Sequence, residues 1–206
     1  MPSDTFSAPF PTTILVVRHA EVRNPKDIVY GRLPRFGLSA AGRVQAETTA
    51  RFLAARPVAA IYTSPLLRAR QTARVLSHYH PQLSPRTSRQ LIEVLTGYQG
   101  EPNSILKPGF SFYEPRKTPA DETLDEVFDR MARFLRLVLR RHAGETVVAV
   151  THADPLAILR VGLEGRELSV KNLHSTVYPD RGSVTQINIA PGQKLRLSYF
   201  NPANGT

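Results

Sequence analysis

The chain has 206 residues, 41% hydrophobic and 21% charged, the balance of an ordinary globular domain with a sizeable core. It contains no cysteine, which excludes disulfides and thiolate chemistry, and no apolar run approaches the roughly 20 residues that span a bilayer. The formal net charge is +10, and nearly all of the excess is arginine. Such a surplus fits a basic face for nucleic acid or membrane, or a scattered arginine surface with a few arginines gathered round an anionic ligand. The longest cluster, Arg136 to Arg141, falls on an amphipathic helix, and no strand interleaves aromatic and basic residues as an RNA-binding sheet does. The second case is expected, with neither nucleic acid nor membrane as partner.

Residues 1–12 (MPSDTFSAPFPT) have no basic start and no long apolar stretch, so they read as a disordered lead and not a signal peptide. A cytoplasmic protein is the default expectation. Residues 13–206 are expected to form one domain. Thr13 to Arg18 (TILVVR) is a continuous apolar run suited to a strand buried on both faces. A loop rich in Pro and Gly follows. Ser39 then caps a helix to about Arg56, with Val44, Phe52 and Leu53 apolar. Val58 to Thr63 is a second strand, and Pro65 can enter the first turn of a helix running from about Leu66 to Leu76. Residues 91–120 are irregular, with Gly97, Gly100, Pro102, Pro108, Gly109, Pro115 and Pro119, and suggest a lid-like insertion over a site. From Thr123 to Arg141, apolar residues recur at three- and four-residue steps, the clearest helix of the chain. Thr146 to Val150 is a third buried strand, followed by a short helix over Pro155 to Leu163. Ser183 to Ile189 and Leu195 to Phe200 form a hairpin across Pro191-Gly192. Alternating strand and helix predict an α/β fold with a mostly parallel sheet.

Three of these strands run straight into polar groups: Arg18-His19, Thr63-Ser64 with Arg68 just beyond, and Thr151-His152. Ligands of open parallel sheets bind beyond the carboxyl ends of the strands, so two histidines and two arginines are expected to converge on one cleft. Guanidinium groups fork onto phosphate oxygens, and a neutral imidazole is a competent nucleophile near pH 7. The bland alternatives are a strand-end surface arginine at Arg18, a hydrogen-bonded structural histidine at His19, and a metal ligand at His152. Neither histidine has a partner at zinc spacing, so no metal and no other cofactor is expected.

LVVRHAE at Leu15 to Glu21, YTSPLLRARQTA at Tyr62 to Ala73, LIEVLTGYQGE at Leu91 to Glu101 and VVAVTHADPLAILR at Val147 to Arg160 together resemble the histidine phosphatase (phosphoglycerate-mutase-like) superfamily. The resemblance implies a three-layer α/β/α architecture. It implies a phosphomonoester phosphatase working through a phosphohistidine on His19, without metal, on a small phosphorylated metabolite. Arg18, Arg68 and a protonated His152 would hold the non-bridging oxygens, and Glu93 would be the acid–base group. By the same resemblance Asn24 and Arg32 would touch the phosphate or a group attached to it. Departures from the family pattern are Ala20 in place of the usual Gly, where a methyl would crowd the pocket slightly, and Thr151 in place of the usual Ser. Asn24 stands one residue closer to His19 than is usual. Asp154, two residues past His152, is a rival proton donor to Glu93. The alternatives are a cofactor-dependent phosphoglycerate mutase using the same phosphohistidine, and a non-catalytic phosphate- or nucleic-acid-binding module.

Overall fold

A computed structural model describes residues 6–205. Its centre is a six-stranded sheet in the order β3-β2-β4-β1-β5-β6, formed by β1 (Thr12–Arg18), β2 (Val58–Thr63), β3 (Arg86–Thr87), β4 (Thr146–Thr151), β5 (Val184–Ile189) and β6 (Arg196–Phe200). β1, β4, β2 and β3 pair in parallel, while β5 lies antiparallel to β1 and β6 antiparallel to β5. The helices are α1 (Ala40–Leu53), α2 (Leu67–His78), α3 (Leu124–Arg141), α4 (Ala153–Leu163) and the short α5 (Val170–His174).

The apolar runs of β1 and β4 are continuous because both faces of these strands are covered. Ile14, Val16, Val147 and Ala149 pack with Phe134, Leu135, Leu156 and Leu159 of α3 and α4. The alternate residues Leu15, Val17, Val148 and Val150 pack with Ala50, Leu53, Ala69 and Leu76 of α1 and α2. This period-two division builds the expected α/β/α layers. A capping box fixes the start of α3: the Glu126 N–H donates to Thr123 Oγ1 at 3.2 Å, and the Thr123 N–H donates to Glu126 at 2.8 Å.

Several expectations shift. Of the proposed lead, residues 1–5 lie outside the described residues, but Ala8 is buried, Phe6 packs on the same core, and Thr12 opens β1. α2 begins two residues after Pro65, because the extended Leu66 precedes it and donates its N–H to Ser64 Oγ at 3.3 Å. Val44 points to solvent, and the buried stripe of α1 is built from Ala46, Thr49, Ala50 and Leu53. The two-residue β3 and the one-turn α5 are too short to show a period in sequence.

Residues 91–120 contain no α-helix or strand, yet they are stitched to the loop after β1. Val29 N–H donates to the Glu101 carbonyl at 2.8 Å, Gly100 N–H to Val29 at 2.9 Å, and Asn103 N–H to Asp27 at 2.8 Å. The buried Asp121 carboxylate accepts the N–H groups of Gly97 and Lys117, at 2.8 and 2.9 Å, and so gathers the two ends of the segment.

Candidate active site

β1, β2 and β4 end side by side, with Arg18 opposite Thr151 and Thr63 opposite Val150. That register brings the groups beyond them together. The centroids of the His19 and His152 rings are 5.1 Å apart. Arg68, fully buried in the first turns of α2, donates from Nε to His19 Nε2 at 3.1 Å and from a terminal nitrogen to the Gly31 carbonyl at 2.7 Å. Its guanidinium lies over the Tyr30 ring, 4.7 Å from the centroid.

The chain leaving β1 is clamped. Ala20 N–H donates to Thr72 Oγ1 at 3.2 Å, and Glu21 N–H to Gln45 at 3.0 Å. Helix α1 approaches so closely that a Cβ on Gly42 would stand 2.0 Å from the Glu21 carbonyl oxygen, so only glycine fits there. The Ala20 methyl packs on Leu38 and Ala46 and is not a wall of the cleft, contrary to the expected crowding.

The tautomer of His19 follows from its neighbours. Nδ1 is 2.8 Å from the Ala20 carbonyl, which can only accept, so Nδ1 carries the proton. Nε2 therefore holds the lone pair, and the Arg68 N–H donates to it. Burial, then Arg68 and Arg18, hold the His19 pKa well below its ordinary value, so the imidazole is neutral. Burial, Arg68 and His19 lower that of His152 in the same way. The protonated His152 expected alongside a bound phosphate dianion is not the state of the free site, where another positive charge is unfavourable. His152 Nε2 is 2.7 Å from Ser64 Oγ, while its Nδ1 has no hydrogen-bond partner among the described residues.

Glu93 is brought in by the irregular segment. Thr151 Oγ1 donates to the Leu91 carbonyl at 2.7 Å, tying that segment to the end of β4. Glu93 Oε2 lies 3.8 Å from Arg68 and 3.6 Å from His152 Nδ1, and the side chain is 14% exposed. Burial, followed by the nearby Asp154 carboxylate, raises its pKa to about 7.

Arg18 lines the cleft and donates to the Pro179 carbonyl at 2.6 Å, with Nε unpartnered among the described residues. Asn24 also lines the cleft, but both ends of its amide close the loop onto Ile28, at 2.8 and 3.3 Å. Arg32 is turned to another task. It donates to the Glu93 carbonyl at 2.7 Å and pairs with Glu122 at 2.7 Å, and Arg130 pairs with the same carboxylate at 2.9 Å. Asp154 is held by the hydroxyls of Tyr113, at 2.9 Å, and Tyr178. Sequence reasoning missed Ser64's hydrogen bond to His152, the Glu122–Arg130 brace, both tyrosines, and Arg181 at the cleft wall. Ser64 lay within the segment Tyr62 to Ala73, and Glu122 and Arg130 within Asp121 to Leu135, which resembles the family's helix before the last buried strand; both tyrosines and Arg181 lay outside any such segment.

His19, Glu93 and His152 offer ligand atoms within 4.8 Å of one another, the one such group among the described residues. A divalent cation there would have to displace the Arg68 N–H from His19 Nε2 and sit beside guanidinium charge, an arrangement Coulomb repulsion opposes. An anion meets the opposite field. The cleft, about 380 Å³ in volume, is thus electrostatically an anion site with a buried, neutral imidazole at its base.

The model of the histidine phosphatase superfamily (branch 1) matches residues 14–201. The chain belongs to that superfamily. This places it among the phosphoric monoester hydrolases. It is 38% identical over 170 residues to uncharacterized protein Rv0525 of Mycobacterium tuberculosis, covering 78% of this chain and 82% of that one. It is 30% identical over 168 residues to phosphoserine phosphatase 1 of Hydrogenobacter thermophilus, covering 76% and 78%. The solved structure of Bacillus stearothermophilus YhfR superposes with a TM-score of 0.78 at 27% identity, covering 91% of this chain and 95% of that one. Among the described residues of this histidine phosphatase, no helix is long and apolar enough to cross a membrane.

Proposed function

We propose that this histidine phosphatase hydrolyses a small phosphorylated metabolite through a phosphohistidine on His19, without a metal ion. The observation that carries the reading is the state of His19: neutral, with its proton fixed on Nδ1 and its Nε2 lone pair beside Arg68. Phosphoryl transfer asks a protein chiefly for positioning and charge stabilisation. Nε2 attacks phosphorus, and the bond from phosphorus to the ester oxygen breaks. Arg18 and Arg68 carry the charge of the non-bridging oxygens, and the Arg68 N–H that rests on His19 moves to one of them. His152 Nδ1, otherwise unpartnered, meets another, and the incoming dianion favours its protonation.

Glu93 gives its proton to the leaving alcohol and then takes one from the water that cleaves the phosphohistidine. A pKa of about 7 suits both halves of this cycle, because acid and base forms are each available near neutrality. Asp154 is a weaker candidate for that role, since both its oxygens are occupied by phenol hydroxyls. Arg32 positions Glu93, and residues 91–120 wall the cleft as a braced cover.

The mutase alternative shares the first half-reaction and differs in the fate of the phosphoryl group. Incubation with 3-phosphoglycerate, with and without a bisphosphoglycerate primer and in excess EDTA, separates the cases. Free phosphate without 2-phosphoglycerate is expected. Primer-dependent 2-phosphoglycerate would establish a mutase, and loss of activity in EDTA would overturn the metal-free route.

A further inference from the structure

Beside the cleft that holds His19 lies a second, of about 440 Å³. Leu106, Phe112, Asp154 and Tyr178 wall both. The second cleft adds the side chains of Phe110, Tyr113 and Leu173, and its remaining polar groups are Lys107, Ser111 and His174. Phe110 and Phe112 pack edge to face with centroids 5.1 Å apart, so the wall is a connected aromatic surface. The seam between the clefts carries one charge, Asp154, whose two oxygens are capped by the Tyr113 and Tyr178 hydroxyls. An incoming group therefore meets ring and methyl there, not a free carboxylate.

The exposure of the seam is unusual for its composition. Leu106 is 45% exposed and Tyr178 50%. Among the described residues only Phe10, Val44 and Val177, the last next to Tyr178 in the chain, are comparably exposed large hydrophobic side chains. Single exposed apolar side chains are ordinary, whereas a group of them beside a reactive cleft marks a binding surface. The phosphoryl group itself needs only the neighbourhood of His19 and Arg18. The adjoining trough is space for the rest of the ester.

We propose that the two clefts form one substrate site and that the substrate is the phosphate monoester of an alcohol with an apolar or aromatic body, which lies in the trough walled by Phe110, Phe112 and Tyr178. This rests on the phosphatase reading above. A compact polar alcohol would leave these rings in water and gain nothing from them, while an apolar body removes both surfaces from water at once.

The test compares 2-phenylethyl phosphate with ethyl phosphate. Their leaving alcohols have closely similar acidity, so intrinsic reactivity cancels and the ratio of kcat/KM reads the trough alone. A ratio of at least about tenfold in favour of the phenylethyl ester is expected, the scale on which apolar pockets discriminate. Phe110→Ser should bring the ratio to within about threefold, and Phe110→Leu should restore much of it. Taking the ratio within each variant removes any difference in folded fraction. Equal rates for the two esters in the unaltered enzyme, or a ratio that Phe110→Ser leaves intact, would overturn the inference while the phosphatase reading stands. Cleavage of neither ester with 3-phosphoglycerate still hydrolysed would overturn the inference alone, and release of phosphate from none of the three would overturn both.

Discussion

His152 is a buried imidazole and His142 a largely buried one, each beside a hydroxyl, and they differ in what the second ring nitrogen does. At the end of α3, His142 lies with Nε2 3.0 Å from the Tyr62 hydroxyl and Nδ1 2.7 Å from Glu145. Both nitrogens are satisfied, and the group closes a strand–helix contact. Past the end of β4, His152 lies with Nε2 2.7 Å from Ser64, while Nδ1 is buried without a partner among the described residues. Buried polar atoms are normally paired. An unpaired one beside an arginine and a protonatable carboxylate is a group waiting for a ligand. The pair teaches that the same residue type becomes structural or functional according to what the fold leaves unsatisfied.

Substitutions in the cleft should cost far more activity than one at His142. His19→Ala should lower kcat/KM for any cleaved ester by about 10⁴-fold or more, since no other group on the pathway replaces the nucleophile. Glu93→Gln should cost about 10²–10⁴-fold, the usual worth of an acid–base group. The parent enzyme should show a fall in kcat/KM as pH rises through about 7, where Glu93 loses its proton, and Glu93→Gln should remove it.

A smaller effect is expected from Asp154→Asn. The Asp154 carboxylate raises the Glu93 pKa, so neutralising it lowers that pKa. The alkaline limb of the pH–rate profile should then move to lower pH, with a loss of a few-fold at pH 7. A limb that stays in place would show that Asp154 does not govern Glu93. The smallest catalytic effect belongs to His142→Ala. It should cost about 1–3 kcal/mol of stability, because the Tyr62 hydroxyl loses its partner, while kcat stays within about twofold. Thermal denaturation read alongside kcat would expose any hidden catalytic role.

The strands, the long helix and the convergence of Arg18, His19, Arg68 and His152 were legible in sequence for one reason. β1, β2 and β4 are buried on both faces, so they read as unbroken apolar runs, and a charged residue at the end of such a run stands out. What the residues around Arg32 and Glu122 would do was not legible. Their pairing joins positions about ninety residues apart in the chain, and it is set by backbone turns of residues 91–120 that carry no period. Asn24 is similar: its amide is used by Ile28, four residues on, a local competition that composition cannot reveal. The neutral state of His152 depended on burial beside Arg68, which only the folded charge distribution supplies.

Quenching the enzyme in alkali during turnover and locating the phosphoryl group by phosphorus NMR and peptide mapping tests the phosphohistidine on His19. Phosphate on Nε2 of His19, absent from His19→Ala, is the expected result. Phosphate on Nδ1 or on any other residue, or rapid turnover with no phosphoenzyme trapped, would contradict it.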